Sequence, residues 1–129
     1  VTIAAAPDFT EDGYWASFGD SQKAALEADG QIELPSNYME PYIITKRLIE
    51  DGRNQLVMRS PLDLPFPVRM LQGTADTAVS TDCAVRLQEH ASSPDMRLTL
   101  IKDADHRFSD GPCLGLIERA VLEVMGDAE

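Results

Sequence analysis

The chain has 129 residues, 43% of them hydrophobic, which is enough apolar material for the core of one ordinary domain. Its 22 acidic against 11 basic residues give a formal charge of −11, which repels phosphate backbones and anionic lipid surfaces and excludes nucleic acid and membrane as expected partners. No apolar run approaches the roughly 20 residues of a membrane helix and no secretory leader opens the chain, so a cytoplasmic location is expected.

The opening residues, Val1-Thr2-Ile3-Ala4-Ala5-Ala6, read as a strand entered in mid-course and broken by Pro7. A terminal apolar strand needs a neighbour on its open edge. That neighbour is expected upstream of Val1, which makes the chain a piece of something larger; a homo-oligomer is the other way to cover the edge. Tyr14, Trp15 and Phe18 then fall at helical spacing, and a second helix runs over 21–28 to a stop at Gly30. Residues 31–34 form at most a short strand. Ile43, Ile44, Arg47, Leu48 and Ile49 suggest a helical stripe ending at Asp51-Gly52. Pro61, Pro65 and Pro67 forbid a helix and favour an extended crossing into a strand over 68–72. Ser80-Thr81-Asp82 starts a helix with Ala84, Leu87 and Ala91 on one face, stopped by Ser92-Ser93-Pro94. A third strand spans 97–101. Gly111-Pro112 opens the last helix, whose apolar face is expected along Leu114, Ile117, Val121 and Val124. From residue 68 onward the order strand, helix, strand, helix indicates crossovers onto a parallel sheet, and hence an α/β fold.

Two polar residues stand just beyond the two later strands. Asp76 closes Leu71-Gln72-Gly73-Thr74-Ala75-Asp76, and His106 lies in Lys102-Asp103-Ala104-Asp105-His106-Arg107. Strand ends on one edge of a parallel sheet are where a carboxylate can orient an imidazole for general-base work. A Gly-x-Ser-x-Gly nucleophile elbow is absent from the sequence. Gly19-Asp20-Ser21-Gln22-Lys23 imitates its first positions, but it ends in Lys and opens a helix. Two members of a triad are therefore in view without the third.

Blander readings stand beside each residue. His106 is also explained as a loop histidine satisfied by Asp103, Asp105 and Asp110, and Asp76 as a turn or capping aspartate. The carboxylates of Asp103, Asp105 and Asp110, around His106, offer oxygen ligands to a hard cation, but no glycine stands where a calcium loop requires one, and no metal is expected. His90 lies in the last turn of its helix, where a cation suits the helix dipole, and is read as a surface residue. Cys83 and Cys113 form no Cys-x-x-Cys pair and are read as buried or idle thiols.

Several strings resemble the C-terminal half of an α/β-hydrolase: Ile3-Ala4-Ala5-Ala6-Pro7-Asp8-Phe9, Glu33-Leu34-Pro35-Ser36, Arg47-Leu48-Ile49-Glu50-Asp51-Gly52, and the two segments carrying Asp76 and His106. They are similar to a branch of serine esterases related to palmitoyl-protein thioesterases and acyl-glucuronide esterases. The resemblance implies that 1–6, 68–72 and 97–101 are the last three strands of that fold, that Asp76 is the triad acid, and that His106 is the triad base. It divides the chain into a core strand at 1–7, a helical lid insertion at 8–60, and a C-terminal α/β core at 61–129. Trp15, Tyr38 and Tyr42, with Phe18, are candidates to line an acyl pocket, ordinary packing being the alternative.

The implied function is a serine-type hydrolase of small or medium carboxylic ester or thioester substrates that needs no cofactor. Its nucleophile and oxyanion donors would lie in a missing N-terminal half, and the chain alone is expected to be inactive. The alternative is a non-catalytic hydrolase-like module for binding or assembly.

Overall fold

A computed structural model describes residues 1–36 and 39–126. In chain order its elements are β1 (Thr2–Ile3), a wide π-type helical segment (Phe9–Trp15), α1 (Asp20–Asp29), β2 (Gln31–Leu34), β3 (Tyr42–Thr45), α2 (Lys46–Gly52), β4 (Leu62–Asp63), β5 (Val68–Gly73), α3 (Thr81–His90), β6 (Ala91–Ser92), β7 (Met96–Ile101) and α4 (Gly111–Gly126). They fall into two compact units, one made of residues 1–7 together with 58 onward, the other spanning Asp8–Val57.

The first unit is a three-stranded parallel sheet in the order β1-β5-β7. Thr2 pairs with Met70 and Ile3 with Leu71, while Val68 to Gly73 pair one-to-one with Met96 to Ile101. All six residues of β5 are buried, as befits a central parallel strand covered on both faces. Period-two alternation sends Val68 and Met70 to one face, where they meet Ala84 and Leu87 of α3. Leu71 goes to the other face, where it joins Ala104, Phe108, and Cys113 and Ala120 of α4. Full burial of side chains such as Met70 and Phe108 is worth about 1.5–3 kcal/mol each.

Three expectations for this unit need correction. The opening strand covers only Thr2–Ile3, because Ala4 turns to φ 49 after its N–H has bonded Leu71 O at 2.9 Å. Helix α3 ends at His90, and Ala91 is extended at φ −75, ψ 145, pairing with Leu62 in a two-stranded parallel sheet of β4 and β6. Helix α4 buries a stripe rotated from the one expected: Ile117 packs on the core as expected, but Cys113, Leu116 and Ala120 join it there, whereas Leu114 and Val121 are exposed. Both stripes recur at i, i+3 and i+4, so periodicity alone does not choose between them.

The second unit is built on an antiparallel hairpin. Gln31, Ile32, Glu33 and Leu34 pair with Thr45, Ile44, Ile43 and Tyr42. Ile43 and Ile44, expected in a helix, are thus in β3, where β-branched side chains suit a pleated surface and Ile44 is buried opposite Ile32. The helix begins only at Lys46, capped by Thr45, whose Oγ1 accepts from Leu48 N at 3.1 Å. Gly30, at φ 77, closes α1 and returns its N–H to Leu26 O at 3.0 Å. Phe18, Leu26, Ile44 and Ile49 form the core of this unit, flanked by Tyr14, Trp15, Ile32 and Leu34.

Candidate active site

Asp76 and His106 meet. The His106 Nδ1–H donates to Asp76 Oδ2 at 2.9 Å, across 30 residues of sequence. Each side chain follows the C-terminal end of its strand, β5 for the acid and β7 for the histidine, and the one-to-one register of Gly73 with Ile101 brings those ends level. The chain crosses between the two loops at three further points: Thr74 N to Ile101 O at 2.9 Å, Ala75 N to Ala104 O at 3.0 Å, and Asp103 N to Thr74 Oγ1 at 2.8 Å. Gly73 makes this approach possible, since a Cβ there would lie 2.2 Å from Ala104 O. Its requirement is space, not an unusual φ.

The acid is enclosed and the base is open. The Asp76 side chain is 1% exposed, while that of His106 is 52% exposed. A buried carboxylate is costly unless its oxygens are satisfied, and these are. Oδ1 accepts from Ala78 N and Val79 N, both at 2.8 Å, and Oδ2 accepts from His106 and from Gln72 Nε2 at 3.2 Å. Burial pushes the Asp76 carboxyl up, but the Val79 N–H, the His106 ring and the Ala78 N–H outweigh it and hold the group below its ordinary range. The acid therefore stays ionised and acceptor-only, which places the proton of the shared bond on Nδ1 and leaves Nε2 as the acceptor on the half-open ring.

The histidine loop is braced from within. Asp103 and Phe108 adopt φ 61 and 52 on either side of His106, and Phe108 is 1% exposed, anchoring the loop in the core. Asp105 Oδ1 accepts from Phe108 N at 3.0 Å, and Asp110 Oδ1 accepts from Cys113 N at 2.8 Å at the start of α4. The carboxylates of Asp105 and Asp110 thus serve the backbone, and the distant Asp76 bonds the ring. Among the described residues no group of three or more His, Cys, Asp or Glu side chains is placed to hold a metal ion.

Of the candidate pocket residues, Trp15, Phe18 and Tyr42 lie in the second unit. Trp15 packs against the core of the second unit, and its indole carries Lys23 at 4.9 Å and Arg53 at 4.7 Å from the ring centroid. Tyr42 lies on β3, 48% exposed, and Phe18 is buried in the core that Trp15 flanks. Tyr38 lies outside the described residues. Ser21 is the second residue of α1. His90 Nε2 bonds Ser60 O at 2.8 Å, tying α3 to the segment before β4. Cys113 is buried, and burial pushes its thiol pKa up.

Gln72 and Thr74 escaped the sequence reading. A signal was present in each case: Gln72 is a polar residue near the end of the strand that leads to Asp76, and Thr74 stands inside the Gly-x-x-Asp turn.

No family model matches the chain. It is 31% identical over 112 residues to the mouse mitochondrial palmitoyl-protein thioesterase ABHD10, covering 85% of this chain and 37% of that protein. The human protein of the same description is 27% identical over 90 residues, covering 68% and 29%. Among solved structures, a putative hydrolase from Agrobacterium vitis S4 superposes with a TM-score of 0.89 at 39% identity, covering 95% of this chain and 47% of that one. Mouse alpha/beta hydrolase domain-containing protein 10 superposes with a TM-score of 0.85 at 22% identity, covering 98% and 51%, a likeness of fold. The chain spans little more than a third of the mouse thioesterase and about half of each solved structure.

Proposed function

We infer that this chain, part of an α/β-hydrolase fold with hydrolases for homologues, supplies the acid and the base of a serine-type hydrolase acting on carboxylic ester or thioester substrates. The observation that carries the reading is the 2.9 Å bond from His106 Nδ1 to the enclosed Asp76 carboxylate. In the acylation step His106 Nε2 takes the proton of a serine hydroxyl as that oxygen attacks the acyl carbon, and Asp76 stabilises the imidazolium that results. The proton then passes to the leaving alcohol or thiol, and water repeats the sequence on the acyl-enzyme to release the acid.

The serine and the donors that stabilise the tetrahedral oxyanion are assigned to polypeptide outside this chain, consistent with the partial coverage of its relatives. Residues 8–60 are assigned the role of the lid insertion. The name of the ABHD10 relatives favours a thioester of a fatty acyl group, and the Asp–His geometry serves esters and thioesters alike.

The test is hydrolysis of a chromogenic acyl ester and an acyl thioester. This chain alone should give no turnover above buffer. Joined to the polypeptide that precedes it in its gene, it should turn over both, with His106→Ala reducing kcat by several orders of magnitude. Retention of full turnover by His106→Ala would sink the reading and leave the binding-module alternative. Turnover by the isolated chain that a serine-directed phosphonate abolishes would instead refute the external nucleophile.

A further inference from the structure

We propose that Gln72 is a positioning residue for the acid, its side-chain amide holding Asp76 Oδ2 in line with His106 Nδ1. The inference rests on the acid–base reading above and adds a residue to it. Gln72 is 1% exposed in the central strand of the sheet, where a side chain chosen for packing alone would be apolar. Its Nε2 lies among three acceptors: Val79 O at 3.0 Å, Gly73 O at 3.2 Å and Asp76 Oδ2 at 3.2 Å.

Two amide hydrogens serve these three oxygens, so one hydrogen is shared. The reverse orientation of the amide would press its oxygen against all three. The donor end therefore faces the acid, while Oε1, though buried, has no hydrogen-bond partner among the described residues. This asymmetry is informative. A glutamine retained for its own stability would satisfy both ends.

The amide also spans the acid turn, contacting its first carbonyl at Gly73 and its last at Val79. Backbone N–H groups of Ala78 and Val79 hold Asp76 Oδ1, so Gln72 is the donor from outside the pair that holds the other oxygen. Without it, Oδ2 keeps His106 alone among the described residues, and the carboxylate gains freedom to turn away from the ring. Gln72 does not touch a reacting atom and acts through Asp76.

The test reads the His106 tautomer by nitrogen-15 NMR of the ring in this chain, unmodified and as Gln72→Met and Gln72→Glu, with the amide fingerprint reporting folding. In the unmodified chain the neutral ring should be mainly the Nδ1–H form. Gln72→Met should lower the ratio of Nδ1–H to Nε2–H by about threefold to tenfold, the shift expected for one lost hydrogen bond to the carboxylate. Gln72→Glu should lower it at least as far, because a second carboxylate then opposes Asp76. A folded Gln72→Met chain with an unchanged ratio overturns the proposal, since a purely structural glutamine alters unfolding and not the tautomer.

A measurement on the unmodified chain covers the case in which the variants do not fold. The Gln72 side-chain amide protons should move in step with the Asp76 carboxyl carbon during acid titration, and their failure to move refutes the contact. If the unmodified chain already carries the Nε2–H tautomer, the acid–base reading fails, while the amide titration still reports whether Gln72 holds Asp76.

Discussion

Replacing Gly73 with alanine puts the meeting of the two strand ends under direct strain. The added Cβ would stand 2.2 Å from Ala104 O, 2.7 Å from Ala104 C and 3.0 Å from Asp105 O, all backbone atoms without a rotamer to give. Ordinary contact begins near 3.4 Å, so the histidine loop must retreat by roughly 1.2 Å. A retreat of that size carries the bonds from Ala75 N to Ala104 O and from Thr74 N to Ile101 O, now 3.0 and 2.9 Å, to about 4 Å, beyond hydrogen-bond range. Two lost bonds at about 1 kcal/mol each, with overpacking of comparable size, give an expected destabilisation of about 3 kcal/mol. Urea unfolding should show the midpoint falling by about 1–3 M at an unchanged slope. The His106 Nδ1–H resonance should weaken in the same variant, because His106 lies on the displaced loop. A loss below about 0.5 kcal/mol, within the range of a neutral surface change, would refute the claim that this glycine sets the distance between acid and base.

Asp76→Asn keeps the shape of the acid and removes its charge. In a polypeptide that carries the nucleophile it should lower kcat by about 10⁴-fold with little change in KM, as the wrong tautomer of the base is stabilised. Steady-state ester kinetics decide, and a loss under tenfold would count against Asp76 as the acid. Because the folded-state pKa of Asp76 is depressed, its contribution to stability is fully present above its unfolded value of about 3.9 and is lost as pH falls through the lower folded value. Urea midpoints taken from pH 5 down to pH 2 should therefore fall less steeply for Asp76→Asn than for the unmodified chain. Some slope should persist from Asp95 and Glu123, which their hydrogen bonds to Arg69 also hold below their ordinary range. Parallel slopes would contradict the assignment. At the other end of the sheet, the Arg69 side chain is 5% exposed and bridges Asp95 at 2.7 Å and Glu123 at 3.0 Å. Arg97 bonds the same two carboxylates. Arg69→Met should cost about 2 kcal/mol, less than a fully enclosed pair because both carboxylates are partly solvated and keep Arg97. The His106 tautomer should not change, and an altered tautomer would show that the two strand ends are coupled.

Local chemistry made the central features of the chain legible in advance. The apolar runs at 68–72 and 97–101, the helix start at Ser80-Thr81-Asp82 and the opening of the last helix at Gly111-Pro112 lie within a residue or two of β5, β7, α3 and α4. Gly-x-x-Asp and the loop carrying His106 identified the pair, since strand ends followed by polar loops leave a recognisable trace. Ile43 and Ile44 were not legible in the same way. Their spacing fits a helical stripe, and only pairing with Gln31–Leu34 recruits them into a strand. The buried stripe of α4 was ambiguous for the related reason that two faces of one helix carried suitable side chains.

What the sequence by itself determined is the order of β5, α3, β7 and α4, the lack of a Gly-x-Ser-x-Gly string among these residues, and which carboxylate and which imidazole stand beyond the two parallel strands. These depend on residues near one another in the chain. Tertiary structure alone decided that Asp76 and His106 bond across 30 residues, that Gly73 must lack a Cβ because Ala104 passes beside it, and that the buried amide of Gln72 faces the acid. Each of these is a distance between segments remote in sequence. Strand register and the packing of both faces of β5 set such distances, and no local preference encodes them.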